Sequence, residues 1–192
     1  RVFPPKTQYF CPACRAKIQF VDHPLCVTCG RPFSSPSGED HRCGDCIQDP
    51  PPFARARSWA CYPKEEPEGH PLRQVLQQFK YGRKISLGKP LGRILAESCH
   101  DSFQGLKPEL LIPVPLHGSR LRWRGFNQAV ILGREVSRYW DIPMDPFLLL
   151  RSRETPPQTQ LAEKERRKNV RGAFVVRGRS AQSLSGRHVL LV

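Results

Sequence analysis

The sequence predicts an α/β domain preceded by a small cysteine-rich module, and three observations predict it. Six of the eight cysteines fall as C-x-x-C pairs at Cys11/Cys14, Cys26/Cys29 and Cys43/Cys46. A mostly apolar run at 110–116 leads through a basic stretch into a helical pattern, the order of a buried parallel strand and its crossover helix. The last residues, His188-Val189-Leu190-Leu191-Val192, have the composition of a central strand. A chain of 192 residues has room for one full core and a small satellite.

The module spans 1–50. Two thiolates at C-x-x-C spacing on a tight knuckle can face one ion at ~2.3 Å, and two knuckles complete a tetrahedron, so the expected ion is Zn²⁺. Gly30, directly after Cys29, lets the chain turn back, which pairs Cys26/Cys29 with Cys43/Cys46. Cys11 and Cys14 form a candidate second site whose remaining ligands stay open: His23, His41, a pair upstream of Arg1, or no metal at all. A disulfide framework needs secretion, which nothing in the sequence suggests, and three pairs in Pro, Gly and Ser-rich loops cannot all be redox centres. Cys61 and Cys99 stand alone in apolar surroundings and are expected in the core.

Residues 51–57, with three consecutive prolines, read as an extended linker to a domain over 58–192. A short strand is expected at 58–62. Leu72, Val75, Leu76 and Phe79 then mark one face of a helix that ends at Lys80-Tyr81-Gly82-Arg83-Lys84, and Leu91, Ile94, Leu95 and Ser98 mark a second. A strand is placed over 110–114, a basic loop after it, and a helix with Ala129, Leu132, Val136 and Trp140 facing inward. Another strand is expected at 146–150. The stretch 151–172 reads as a mobile loop around Pro156-Pro157 followed by an exposed, highly charged helix from Leu161 to Val170.

The net charge is +14, and residues 117–179 alone carry 14 basic and 6 acidic side chains. Such a surface suits a polyanion or a phosphorylated small molecule. The strand, basic loop, helix order places loop amides and a helix N-terminus at a strand's carboxyl end, where open α/β sheets bind ligands. Arg120, Arg122 and Arg124, with Gly125, Phe126, Asn127 and Gln128, are therefore the candidate phosphate and nucleic-acid face. Trp123 and Phe126 are the aromatics that could stack on bases. No apolar stretch is long enough to span a membrane and no signal peptide is evident, so a soluble, cytoplasmic protein is expected. The start at Arg1 suggests that the true beginning is missing.

Taken together, Cys26-Val27-Thr28-Cys29-Gly30-Arg31-Pro32, Lys80-Tyr81-Gly82, Ile112-Pro113-Val114-Pro115-Leu116-His117, Arg124-Gly125-Phe126-Asn127-Gln128 and Glu165-Arg166-Arg167-Lys168-Asn169-Val170 resemble the ComF family, bacterial proteins linked to DNA uptake in natural competence. The resemblance runs from about Cys11 to Val192. It implies a zinc ribbon followed by a type I phosphoribosyltransferase-like domain. It also implies a pyrophosphate site near the loop after Pro115, a phosphate-binding face at Arg124 to Gln128, and a flexible hood at 151–171 in which Arg166, Arg167 and Lys168 join the phosphate-binding set. The family pattern has two adjacent acids and a Thr-Thr-Gly turn after a strand like 188–192, and commonly another C-x-x-C before Cys11. This chain lacks both, which fits a fragment with a C-terminally incomplete domain.

Three functions are then expected to compete. One is a competence protein binding single-stranded DNA, phosphoribosyl pyrophosphate and partners in the competence machinery. The second is a phosphoribosyltransferase acting on an unknown nitrogen acceptor, ordinarily with Mg²⁺. The third is a non-catalytic, zinc-stabilised interaction protein.

Overall fold

The computed structural model describes residues 10–63, 69–156, 161–178 and 184–192. Two short helices belong to the cysteine module, α1 (Pro12–Ala16) and α2 (Gly44–Gln48). Five more helices and four strands follow: α3 (Pro71–Lys80), α4 (Gly88–Phe103), β1 (Leu110–Ile112), α5 (Gly118–Arg124), α6 (Gln128–Trp140), β2 (Leu149–Arg151), α7 (Glu163–Val170), β3 (Phe174–Val176) and β4 (Val189–Leu191). Helix α3 starts where Pro71 needs no N–H partner and the His70 ring accepts from the Leu72 N–H. Its Leu72 and Phe79 are buried, each burial contributing about 2 kcal/mol.

Helices α4 and α6 form the main helical pair. Their backbones approach so closely that a Cβ on Gly92 would stand 2.9 Å from Glu135 Cβ, and one on Gly88 would meet Ile131. Ala96, Cys99, Phe103, Leu111, Val136 and Leu190 make one buried cluster, which the Trp140 indole closes by donating to the Ala96 carbonyl at 2.9 Å. The fully buried β1 pairs in parallel with β4, with Leu111 opposite Leu190. On the other side of β1, the Leu111 N–H donates to the Pro143 carbonyl and the Asp145 N–H to the Leu111 carbonyl. Strand β1, and not 188–192, is therefore the central one among the described residues, because the backbone at 143–145 offers it a second ladder. Strands β2 and β3 form a separate antiparallel pair.

Other departures from the sequence-based expectation have physical reasons. Residues 58–62 do not enter the main sheet. The Val21 N–H donates to the Trp59 carbonyl and the Cys61 N–H to the Gln19 carbonyl, with the Trp59 ring near Phe10 and Phe20, so this stretch pairs with the cysteine module. Strand β1 stops at Ile112 because Pro113 has no N–H to give, and β2 begins only after the turn in which the Asp145 carboxylate accepts from the Phe147 N–H. The basic stretch after Pro115 is a helix, α5, not an open loop. The proline-rich segment 51–57 is tied down: the Ala56 N–H donates to the Thr28 carbonyl, and Arg55 donates to the Ser102 carbonyl on α4. The expected helix at 161–170 forms as α7, while residues 157–160 of the expected loop lie outside the described residues.

Candidate functional site

The Cys26, Cys29, Cys43 and Cys46 sulfurs lie within 4.8 Å of one another, with Cys29 and Cys43 3.7 Å apart. A tetrahedron of ~2.3 Å zinc–sulfur bonds has sulfur–sulfur edges of ~3.8 Å, so the set fits Zn²⁺. All eight cysteines are free thiols. The local sequence builds the cage: Gly30 turns back at φ +73°, its N–H donating to the Cys26 carbonyl at 2.9 Å, and Cys43 stands just before the short helix that carries Cys46, its carbonyl accepting from the Ile47 N–H. Burial pushes the Cys26 thiol up, but the N–H groups of Cys43, Cys29 and Thr28 outweigh it and bring it down to about 6. Burial and the neighbouring sulfurs push Cys46 up to about 12. Cys26 is thus the sulfur most readily ionised, and an ion would supply the charge that lets Cys29 and Cys46, both held up by burial, ionise as well.

Cys11 and Cys14 lie outside this cluster. Cys11 is exposed and its sulfur accepts from the Cys14 N–H at 3.4 Å. Neither candidate histidine joins them: the His23 ring pairs with Asp40 at 2.8 Å, and the His41 ring stacks on Phe33 at 4.0 Å and bonds the Glu39 carbonyl. Cys99 is buried, and that burial pushes its thiol up to about 11, as suits a core residue.

The basic face grows from the end of β1. The His117 ring caps α5 by accepting from the Ser119 N–H, and the helix ends at Gly125 in a left-handed conformation at φ +85°. Arg120 is half-buried and Arg122 exposed, and neither makes an ion pair among the described residues. Arg124, only 5% exposed, donates to the Gln128 side chain at 2.6 Å and sits over the Tyr81 ring, while its Nε has no partner. Burial, reinforced by Arg120, pulls the Arg124 pKa down, and burial with Arg124 nearby does the same to Lys80. Arg151 repeats the pattern: it lies over Phe174, donates to Thr155, and leaves its own Nε unpaired. The Ser119 hydroxyl donates to Glu154, which places the end of β2 beside the start of α5. A buried cation without a carboxylate partner is costly, so these arginines form a region of positive potential that an anion would relieve.

The structure divides the sequence-predicted residues. Arg120 and Arg124 lie near each other on α5, with Gly125 ending the helix and Gln128 anchoring Arg124, while Arg122 is exposed on the same helix. Phe126 is buried against Phe79, 5.5 Å away, and faces the core instead of a ligand. Asn127 caps α6 through the Ala129 N–H and donates to the Val114 carbonyl, a bracing role. Arg166, Arg167 and Lys168 are exposed on α7; Arg167 pairs with Asp49 of the cysteine module and Arg166 bonds the Leu161 carbonyl. The sequence reading passed over Arg151, Arg83 and Tyr81. The one signal for the last two was their place in the basic, aromatic cluster after α3.

Residues 2–47 match the double zinc ribbon domain family. Competence protein F of Haemophilus influenzae is 31% identical over 180 residues, covering 85% of this chain and 75% of that protein. The DNA utilization protein YhgH of Escherichia coli O157:H7 is 33% identical over 186 residues, covering 95% of this chain and 75% of that protein. The YhgH of Salmonella typhimurium is 31% identical over the same length. No solved structure matches.

Proposed function

Since the chain belongs to the competence protein F (ComF) family, we propose that it serves DNA uptake by binding single-stranded DNA along the face built from 80–84 and α5. The observation that carries this reading is the run of Arg120, Arg122 and buried Arg124 on α5, to which no carboxylate is paired among the described residues. Phosphate oxygens are the natural counter-charge, and arginine's planar fork can hold two of them. The zinc ribbon is stitched to 56–57 through Arg57 bonds to the Val27 carbonyl. No helix of the described residues is long and apolar enough to cross a membrane, and we place the protein in the cytoplasm, beside the competence machinery.

Four exposed or half-exposed cations, Arg83, Lys84, Arg120 and Arg122, would neutralise about four phosphates, so log K should fall with log salt at a slope of about −3. Fluorescence anisotropy of a labelled oligonucleotide across a salt series tests this, and salt-independent binding or none would count against it.

One observation favours a second reading. Arg124 is buried and Arg151 half-buried, each with an unpaired Nε, which suits a compact phosphate group better than a flexible strand. Phosphoribosyl pyrophosphate is the ligand of that kind which a phosphoribosyltransferase-like domain would hold, with Mg²⁺ as its usual counter-ion. Calorimetric titration with the compound, with and without Mg²⁺, decides whether it binds.

A further inference from the structure

Two large aromatic side chains, Tyr81 and Trp123, stand beside each other on the basic face, each 56% exposed. Their ring centroids are 6.4 Å apart with the planes at 58°. Water does not favour that exposure, and the other two tryptophans avoid it: Trp59 packs near Phe10 and Phe20, and Trp140 is half-buried with its N–H bonded. The pair is also held in place. Gly82 follows Tyr81 where any Cβ would meet the Gln78 carbonyl oxygen at 2.9 Å, and Arg83, at φ +54°, donates to the Trp123 carbonyl. The Arg124 guanidinium lies over one face of the Tyr81 ring, 5.4 Å from its centre.

The surroundings are cationic without exception in sequence. Neither 69–96 nor 110–134 contains a single Asp or Glu, whereas Lys80, Arg83, Lys84, Arg120, Arg122 and Arg124 all fall there. Aromatic faces flanked by these cations match a ligand that carries flat, accessible π-systems on a chain of negative charges. A duplex hides its base faces in the stack and offers only phosphates. An acidic peptide offers the charges without the regular planar groups.

We infer that Tyr81 and Trp123 form a stacking platform for unpaired nucleobases, which selects single-stranded nucleic acid over duplex. This rests on the reading of the basic face as a DNA-binding surface and adds to it the element that reads strandedness. Phosphate contacts from the arginines supply attraction to any nucleic acid, and the aromatic pair adds affinity only where bases are free.

The test compares three labelled ligands on zinc-loaded protein by anisotropy: oligothymidylate of about twenty nucleotides, an abasic strand with the same number of phosphates, and a duplex. The thymidylate should bind roughly ten-fold more tightly than the abasic strand. The Tyr81→Ala/Trp123→Ala double variant should bind both strands alike, at the abasic affinity and with an unchanged salt slope. Equal, salt-sensitive binding of both strands by the unaltered protein overturns the stacking platform and leaves the phosphate reading standing. Failure to bind either strand removes both. A mass that rises with protein concentration and falls in the double variant also overturns the platform, in favour of a contact between two copies. Since the first comparison uses the unaltered protein, poor folding of the variant cannot shelter the inference.

Discussion

Substituting Gly30 by alanine tests how the zinc knuckle is joined to the rest of the chain. At φ +73° an L-residue costs about 1 kcal/mol. The new Cβ would also stand 2.5 Å from the Ala56 carbonyl oxygen, a backbone atom that cannot rotate away. Relief requires the 56–57 backbone to move by several tenths of an ångström, and that segment is held by the 2.7 Å bond from the Ala56 N–H to Thr28 and by the Arg57 bonds to Val27. Weakening one or two such bonds costs a further ~1–2 kcal/mol, so Gly30→Ala should lose about 2–3 kcal/mol in all. Metal binding is coupled to folding of such modules, so zinc affinity should fall roughly 30- to 150-fold. Gly38→Ala is the control: it has a positive φ of +115° but no atom within 4 Å of its Cβ. Competition of each variant against a chromophoric zinc chelator measures the difference. Equal losses for the two variants would refute the claim that the linker is packed against the knuckle.

Other predictions follow from the same contacts. At pH 7 Cys26 is already ionised at about 6, whereas Cys46, at about 12, must give up its proton to zinc. Cys46→Ser should therefore release one proton fewer than the unaltered protein on zinc uptake, while Cys26→Ser should release the same number, as read by calorimetry in buffers of different ionisation heat. Gly92→Ala, whose Cβ would meet Glu135 Cβ at 2.9 Å and the Leu132 carbonyl at 3.1 Å, should destabilise by about 1–2 kcal/mol despite alanine's better helix propensity, and a denaturant midpoint that rises would contradict the tight α4–α6 crossing. Arg124→Met removes a buried charge whose Nε has no partner, so its stability should stay within about 1 kcal/mol of the unaltered protein while binding to oligonucleotide weakens. A drop in melting temperature of many degrees would show Arg124 to be a structural brace.

The parts of this fold that were legible in the sequence are those fixed by local patterns. C-x-x-C spacing with Gly30 after the second cysteine identifies the cage, because both thiols of a knuckle must face one ion whatever else the chain does. The spacing of Leu72, Val75, Leu76 and Phe79, and that of Ala129, Leu132, Val136 and Trp140, marks helices for the same local reason. Where two distant stretches compete for a partner, local pattern fails. Residues 58–62 have the composition of a sheet strand, yet the Trp59 ring finds Phe20 and the backbone follows it to 19–21. Residues 143–145 carry little strand signal but take the open side of β1 through backbone bonds that no side-chain pattern encodes. In the site, the charge pattern marked the stretch that folds as α5 but read it as a loop, and it could not tell that Arg124 turns inward to Gln128 or that Phe126 meets Phe79. Tyr81 and Trp123 are far apart in the chain, so only the fold shows them as a pair.

The central claim is that the face of 80–84 and α5 binds single-stranded DNA through its cations. The most direct test is the salt dependence of oligothymidylate affinity for the unaltered protein and for Arg120→Gln/Arg122→Gln, both zinc-loaded. The account predicts a slope of about −3 for the first, reduced in size by about 1.4 for the second, since each lost phosphate contact removes ~0.7. Identical slopes for the two proteins would contradict it and move the DNA contact off this face.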